Sequence, residues 1–335
     1  MSMKDARGRP LHDLRISVTD RCNFRCTYCM PREHFGSDHS FLPRDELLSY
    51  EEITEVVRGM LPLGLKKLRL TGGEPLLRKD IASLISMLRG LSETVDIALT
   101  TNGALLRQHA QSLRNAGLNR VTVSLDAIDS ELFQIMADSP RWTPNDVLEG
   151  ILEAQRVGLG VKINTVVKKG LNENQILPLF QHFYEMKIPL RFIEFMDVGN
   201  TNSWNMNDVV SGREIREVIE HEYGEITPVA RSVRGEVAQR FSLDDGYEFG
   251  CIESVTAPFC GDCTRARLSA NGALYTCLFT SKGNDLKSLL RMGAAPEDVS
   301  RAIVDIWSKR SDRYSEERTK QTKPKEKVEM SFIGG

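Results

Sequence analysis

Six of the seven cysteines fall into two triplets, Cys22-Cys26-Cys29 and Cys260-Cys263-Cys277, with the spacings C-x3-C-x2-C and C-x2-C-x13-C. Thiolates so spaced suit zinc or an iron-sulfur cluster, and each triplet is one ligand short of closing a four-iron cube. An iron left open can bind something other than protein, so the spacing points to chemistry at metal atoms rather than to stapling. A structural zinc site is the other reading of each triplet, with His34 or His39 as a fourth ligand for the first and a zinc knuckle for the second. Seven cysteines cannot all pair within one chain. The first residues, MSMKDARGRPLHDLRIS, lack a long apolar signal core, and no later apolar run is long enough to cross a bilayer. The expected setting is a reducing cytoplasm, where cysteine clusters mean metal or redox chemistry more often than disulfides.

The second triplet runs into Cys263-Thr-Arg265-Ala-Arg267. Two guanidiniums beside a metal centre imply an anionic ligand brought to it. Arg15, Arg69, Lys162 and Arg191 lie in four other apolar stretches. An outward salt bridge is the ordinary fate of any one such residue, but several at one strand-end rim would neutralise phosphate groups. A formal charge of -2, from 44 basic and 46 acidic residues, argues against a broad nucleic-acid surface and points to a focused site. No GxxxxGK[ST] loop occurs, which argues against ordinary nucleotide hydrolysis.

These residues need a scaffold. Apolar stretches at 14–19, 66–73, 95–103, 120–127, 161–167 and 190–196 predict six strands. Between them, 45–60, 78–90, 105–116, 144–157 and 173–186 carry the spaced apolar residues of half-buried helices. Repeated strand-helix units predict a parallel α/β sheet, here an incomplete (β/α)6 TIM-like barrel over residues 1–200. A helix at 212–222 and broken extended segments at 225–255 predict a smaller C-terminal domain, 201–317, carrying the second triplet. Residues 318–335 are expected to form a flexible tail ending in Gly-Gly. The first triplet, GGEP at 72–75, TTNG at 100–103 and SLDA at 124–127 all follow strands, where loops and helix N-termini gather around ligands. Cys251, outside both triplets, is expected to be a packing residue.

The C-x3-C-x2-C loop with Tyr28 inside it, the GGEP turn and the six strand-helix units resemble the radical S-adenosylmethionine enzymes. The resemblance implies a [4Fe-4S] cluster on Cys22, Cys26 and Cys29 whose fourth iron is chelated by S-adenosylmethionine. It assigns the methionyl amine to Gly73 with support from Glu74, the carboxylate or ribose to Ser124, and adenine contacts to Tyr28 and Met196. The second triplet, the CTRAR segment and the terminal Gly334-Gly335 narrow the resemblance, over nearly the whole chain, to the GTP 3',8-cyclases of molybdenum cofactor biosynthesis. That family implies a second [4Fe-4S] cluster on Cys260, Cys263 and Cys277 whose open iron meets guanine. It further implies GTP contacts from Arg15, Arg69, Thr100, Lys162, Arg191, Arg265, Ala266 and Arg267, and a Gly-Gly end entering the chamber. The reaction implied is radical cyclisation of GTP, started by an external one-electron reductant, with the cluster thiolates, Arg265, Arg267, Gly334 and Gly335 as its machinery. A homodimer, with neither nucleic acid nor membrane as partner, and hand-over of product to cyclic pyranopterin monophosphate synthase complete the expectation. Another two-cluster radical enzyme acting on a peptide, or a zinc-binding module, are the competing readings.

Overall fold

Each strand of the central sheet alternates between an apolar face and a polar one. In β1 (Asp13–Ser17) Leu14 and Ile16 are fully buried on one side, leaving Arg15 and Ser17 on the other. The same alternation holds in β2 (Lys67–Thr71), β3 (Asp96–Thr101), β4 (Arg120–Ser124), β5 (Gly160–Val167) and β6 (Leu190–Glu194). A parallel sheet covered by helices on both faces would be apolar throughout. Here only one face is helix-covered, and the other is free to carry charge.

The computed structural model describes residues 3–318 and 327–334. Strands β1 to β6 pair in parallel and in chain order. Helices α1 (Tyr50–Met60), α2 (Ile81–Leu91), α3 (Leu106–Asn115), α4 (Ser130–Ala137), α5 (Pro144–Arg156) and α6 (Ile176–Glu185) form the crossovers. Their starts are written locally: Ser49 with Glu52 and Thr143 with Asp146 form capping boxes at α1 and α5. The buried residues Val56, Leu84, Ile85, Leu113, Ile151 and Phe180 join Leu68, Leu70, Ile97, Leu99, Val121 and Val123 in one apolar layer. The predicted strands and crossover helices are present within a few residues; α4, capped by Asp129, was not anticipated.

Beyond α7 (Gly212–Tyr223) the chain adds strands to both edges of this sheet. The hairpin strands β7 (Thr227–Val229), β8 (Gln239–Ser242) and β9 (Glu248–Ile252) extend it next to β6, with β9 parallel to β6. The chain then crosses to the opposite edge, where β10 (Arg265–Leu268) pairs in parallel with β1, followed by β11 (Ala273–Tyr275) and β12 (Asn284–Asp285). The result is one twelve-stranded sheet. Helices α8 (Lys287–Arg291) and α9 (Pro296–Ser308) return to pack against α1, and α10 (Tyr314–Glu317) abuts the turn at Cys260–Asp262. Among the described residues no helix is long and apolar enough to cross a membrane.

The expectation of a flexible tail over 318–335 is corrected for its described end. Residues 319–326 lie outside the described residues. Lys327, Ser331 and Ile333 are buried, with α11 spanning Met330–Ile333. Charge is the reason: the Lys327 Nζ lies 2.8 Å from the Asp197 carboxylate, which also accepts from Tyr314 Oη and Arg318, each at 2.6 Å. The Glu329 carboxylate accepts from the Asn200 amide at 2.9 Å. A composition rich in Lys and Glu reads as solvated, and long-range pairing of this kind is invisible to it.

Candidate active site

The polar face of the sheet and the loops beyond it enclose one chamber. Its lining includes all six triplet cysteines, Cys22, Cys26, Cys29, Cys260, Cys263 and Cys277. The first triplet sits on the loop after β1, and the second lies in the turn before β10 and after β11. Since β10 is the parallel neighbour of β1, residues as far apart in sequence as Arg15 and Arg267 reach the same cavity.

The loop carrying the first triplet is zipped to the GGEP turn. The Gly73 amide donates to the Thr19 carbonyl and the Glu74 amide to the Arg21 carbonyl, both at 2.8 Å. A Cβ on Gly73 would stand 2.2 Å from the Arg21 carbonyl oxygen, so only glycine permits this approach. Gly73 lines the chamber, whereas Glu74 lies behind it, fully engaged: its carboxylate accepts from the Leu76 amide, Thr101 Oγ1 and the Asn102 amide at 2.8–2.9 Å. Burial lifts the Glu74 carboxyl to about 7 against the pull of these donors. Glu74 therefore joins two strand-end loops rather than offering a free oxygen to an ammonium. Cys22 Sγ accepts from the Phe24 amide at 3.4 Å, and burial with the nearby Glu74 charge pushes its thiol up to about 12. Burial likewise raises Cys26 and Cys29.

Tyr28, Ser124 and Met196 line the chamber. The Tyr28 hydroxyl is already used, donating to Asp126 at 2.6 Å, and the other Asp126 oxygen accepts from the Val166 amide at 2.8 Å. Asp126 and Asn164 line the cavity too, and no motif of the sequence singles out Asn164. Its signal is positional: it stands opposite Ser124 on β4 and Arg191 on β6. The Asn164 Oδ1, Thr100 Oγ1 and Arg191 Nε are buried without a partner among the described residues, which is what a polar ligand's absent atoms leave behind.

The basic residues converge, but not at the strand-end rim. Arg15 is in register with Arg69 on one side and Arg267 on the other, in the middle of their strands. Arg15, Arg69, Arg191, Arg265 and Arg267 line the chamber floor. Lys162 lies in an adjoining pocket that shares Arg15, Arg69, Arg191 and Arg265. The rim was the wrong place because strand alternation, not strand end, decides which side chains face inward. By the same alternation fully buried Ala266 falls on the opposite face from Arg265 and Arg267 and does not line the chamber. Gly334 touches two residues that line it: its carbonyl accepts from Arg267, and a Cβ there would meet Thr71 Cγ2 at 2.3 Å. Gly335 is outside the described residues.

None of Arg15, Arg69, Lys162, Arg191, Arg265 or Arg267 forms an ion pair with a carboxylate among the described residues. Burial, and then mutual repulsion, lowers Arg69 and Arg267 to about 10 and Arg191 to about 9, with Arg15 well below its usual value. Only Arg267 of the six is buried outright and the others are half-buried, but cations crowded together without carboxylate partners are costly, and an anion relieves the cost. Cys263 responds oppositely: burial pushes its thiol up, but Arg265 and Arg310 outweigh this and hold it at about 6. Among the described residues no three His, Cys, Asp or Glu side chains are arranged as ligands of a single ion. A four-iron cube takes each thiolate on a different iron, and two sets of three half-buried thiols facing one cavity fit that demand.

The fold and site define a radical S-adenosylmethionine protein with a second cysteine set. Residues 16–183 match the family model described as Radical SAM superfamily, and residues 188–316 match that described as Molybdenum Cofactor Synthesis C. Across 99% of its length the chain is 48% identical to the GTP 3',8-cyclase of Staphylococcus haemolyticus (strain JCSC1435), with 99% of that protein covered. It is 49% identical to that of Staphylococcus carnosus (strain TM300), with 99% and 98% of the two chains covered. The chain belongs to the GTP 3',8-cyclase family. In fold it is also similar to Streptococcus suis SuiB bound to precursor peptide SuiA, with a TM-score of 0.63 at 16% identity over 90% of this chain and 66% of that one. Methylornithine synthase (PylB) gives a TM-score of 0.51 at 16% identity, covering 63% and 62% of the two chains.

Proposed function

We propose that this chain is an enzyme converting GTP to (8S)-3',8-cyclo-7,8-dihydroguanosine 5'-triphosphate, with S-adenosylmethionine cleaved to methionine and 5'-deoxyadenosine, as the first step of molybdenum cofactor biosynthesis. The observation that carries this reading is one chamber with two cysteine triplets and a floor of guanidiniums that have no carboxylate partner among the described residues. The six parallel strands form an open (β/α)6 barrel over residues 1–200, and 201–317 supply the second triplet.

Cys22, Cys26 and Cys29 would hold one [4Fe-4S] cluster and Cys260, Cys263 and Cys277 the other. When bound, the first cluster supplies the electron that cleaves S-adenosylmethionine to methionine and a 5'-deoxyadenosyl radical. The residues do the placing. Gly73 brings chamber-lining backbone to the methionyl amine, Ser124 offers a contact to the carboxylate or ribose, and the free Asn164 Oδ1 can accept from a ribose hydroxyl. Tyr28, held by Asp126, and Met196 bound the adenine side. Arg15, Arg69, Lys162, Arg191, Arg265 and Arg267 neutralise the triphosphate, with Thr100 as a hydroxyl contact, so the ribose is presented to the radical with its base toward the second triplet. The Arg267 bond to the Gly334 carbonyl docks the chain end beside this clamp and helps exclude water. An external one-electron reductant, a cytoplasmic location, a homodimer and transfer of product to cyclic pyranopterin monophosphate synthase complete the proposal.

GTP deuterated at C3' tests it. Deuterium recovered in 5'-deoxyadenosine together with the cyclised nucleotide supports the reading; 5'-deoxyadenosine free of deuterium, with GTP unchanged, would sink it.

A further inference from the structure

Behind the second cysteine triplet lies a charged cluster that the reaction does not use directly. Asp5, Arg9 and Arg310 come from the two ends of the chain, yet each is at least nine-tenths buried, with Arg9 at 0%, Arg310 at 4% and Asp5 at 7% exposure. The Asp5 Oδ2 accepts from Arg9 Nε at 2.7 Å and from Arg310 at 3.3 Å. Its Oδ1 accepts from the amides of Arg7 and Arg9 at 2.8 and 2.9 Å.

What the two guanidiniums do with their other donors is specific. Arg9 donates to the Cys260 carbonyl at 2.9 Å and to the Asp312 carbonyl at 2.7 Å. Arg310 donates from Nε to the Thr276 carbonyl at 3.0 Å, next to Cys277, and from one terminal nitrogen to the Cys263 carbonyl at 2.8 Å. Its other terminal nitrogen reaches the Cys263 Sγ at 3.1 Å. Trp307 closes the back, its indole N–H donating to the Arg9 carbonyl at 3.2 Å and its ring lying 4.4 Å below the Arg310 guanidinium. One cluster of side chains thus grips the backbone at or beside all three thiols and touches one sulfur.

We propose that Asp5, Arg9 and Arg310 are positioning residues of the second cluster, which fix its three ligand loops and set its reduction potential through the charges they place beside it. This rests on the reading that Cys260, Cys263 and Cys277 hold an iron-sulfur cluster. The part-exposed Asp312 carboxylate lies 3.7 Å from Arg310 and balances the set, but it is the guanidiniums of Arg9 and Arg310 that donate at the ligand loops and at a sulfur, so the positive ends of the set face the three thiolates. A cation and an N–H donor at a cluster sulfur stabilise the more negative, reduced state, so the frame raises the potential. Removing Arg310 must lower it, whereas removing the Asp5 charge must raise it. A merely structural role gives no such opposition of sign.

The test is an anaerobic redox titration of the reconstituted full chain, following the second cluster by electron paramagnetic resonance with the first as internal control. Arg310→Gln is expected to lower the reduced-to-oxidised ratio of the second cluster about tenfold at a fixed potential, ~59 mV for one electron. Asp5→Asn is expected to move it the other way, and Arg310→Lys to stay nearer the unsubstituted protein. Unchanged potentials, or shifts of one sign in Asp5→Asn and Arg310→Gln, overturn the proposal. Should Arg310→Gln fail to retain the second cluster, Asp5→Asn decides alone: a rise supports the frame, and no change or a fall overturns it. About four irons per unsubstituted chain, instead of about eight, would overturn the two-cluster reading and the frame together, whereas about eight with unmoved potentials overturns the frame alone.

Discussion

Replacing Gly73 by alanine places a methyl group where the chain has no room. The new Cβ would lie 2.2 Å from the Arg21 carbonyl oxygen, 2.5 Å from its carbon and 2.9 Å from the Asp20 carbonyl oxygen. Ordinary contact begins at 3.4 Å, so the turn must retreat by roughly 1 Å. Two backbone hydrogen bonds of 2.8 Å, Gly73 to Thr19 and Glu74 to Arg21, would stretch beyond bonding distance. At about 1 kcal/mol each, plus about 1–3 kcal/mol for overpacking, the cost is about 3–5 kcal/mol. The retreat also displaces the segment leading into Cys22, and a misplacement of about 1 Å costs roughly 100-fold in rate. Gly73→Ala should therefore lose about 100-fold in 5'-deoxyadenosine formation and several degrees of thermal midpoint, while equilibrium dialysis still detects bound GTP. A variant within threefold of the parent rate, with an unmoved midpoint, would refute the steric argument.

Substituting both Arg265 and Arg267 by Gln should weaken GTP binding by tenfold or more per residue, at roughly 1.5–3 kcal/mol per charged hydrogen bond, yet leave uncoupled 5'-deoxyadenosine formation; calorimetry and product analysis read the two separately. Asp197→Ala strands Arg318 and Lys327, whose side chains are only 3% and 5% exposed, so residues 327–334 should detach and become susceptible to limited proteolysis. In cluster-free protein at pH 7 Cys263, held at about 6, should be alkylated by iodoacetamide well before Cys22, raised to about 12; mass spectrometry of the labelled peptides gives the order. Because the folded Cys263 value lies below its ordinary 9.0, its contribution to stability is present above pH 9 and is lost as pH falls through 6. Cluster-free Cys263→Ser should show a weaker rise of thermal midpoint between pH 6 and 9.

The parallel core was legible because Leu14, Ile16, Leu68 and Leu70 announce a helix-covered face and the arginines between them an inward one. The cysteine triplets were legible from spacing. Depth was harder: the expectation of a strand-end rim failed for Arg15 and Arg69, which sit mid-strand in register. The parallel pairing of β10 with β1 is long-range, and no local pattern encodes it. The same holds for Lys327 with Asp197 and for Arg310 with Asp5, where buried charge is paid for only by a partner far away in sequence. Glu74 sat in a recognisable turn, but that both its oxygens are occupied follows from the neighbouring Thr101–Asn102 loop.

The central claim is that one chamber couples cleavage of S-adenosylmethionine to cyclisation of GTP. The most direct measurement is anaerobic reconstitution with iron and sulfide, then incubation with dithionite, S-adenosylmethionine and GTP, with 5'-deoxyadenosine and the nucleotide product quantified together by mass spectrometry. Both products rising in parallel is the predicted result. Cluster-loaded protein that forms 5'-deoxyadenosine at the same rate with or without GTP, and leaves GTP unaltered, would contradict it.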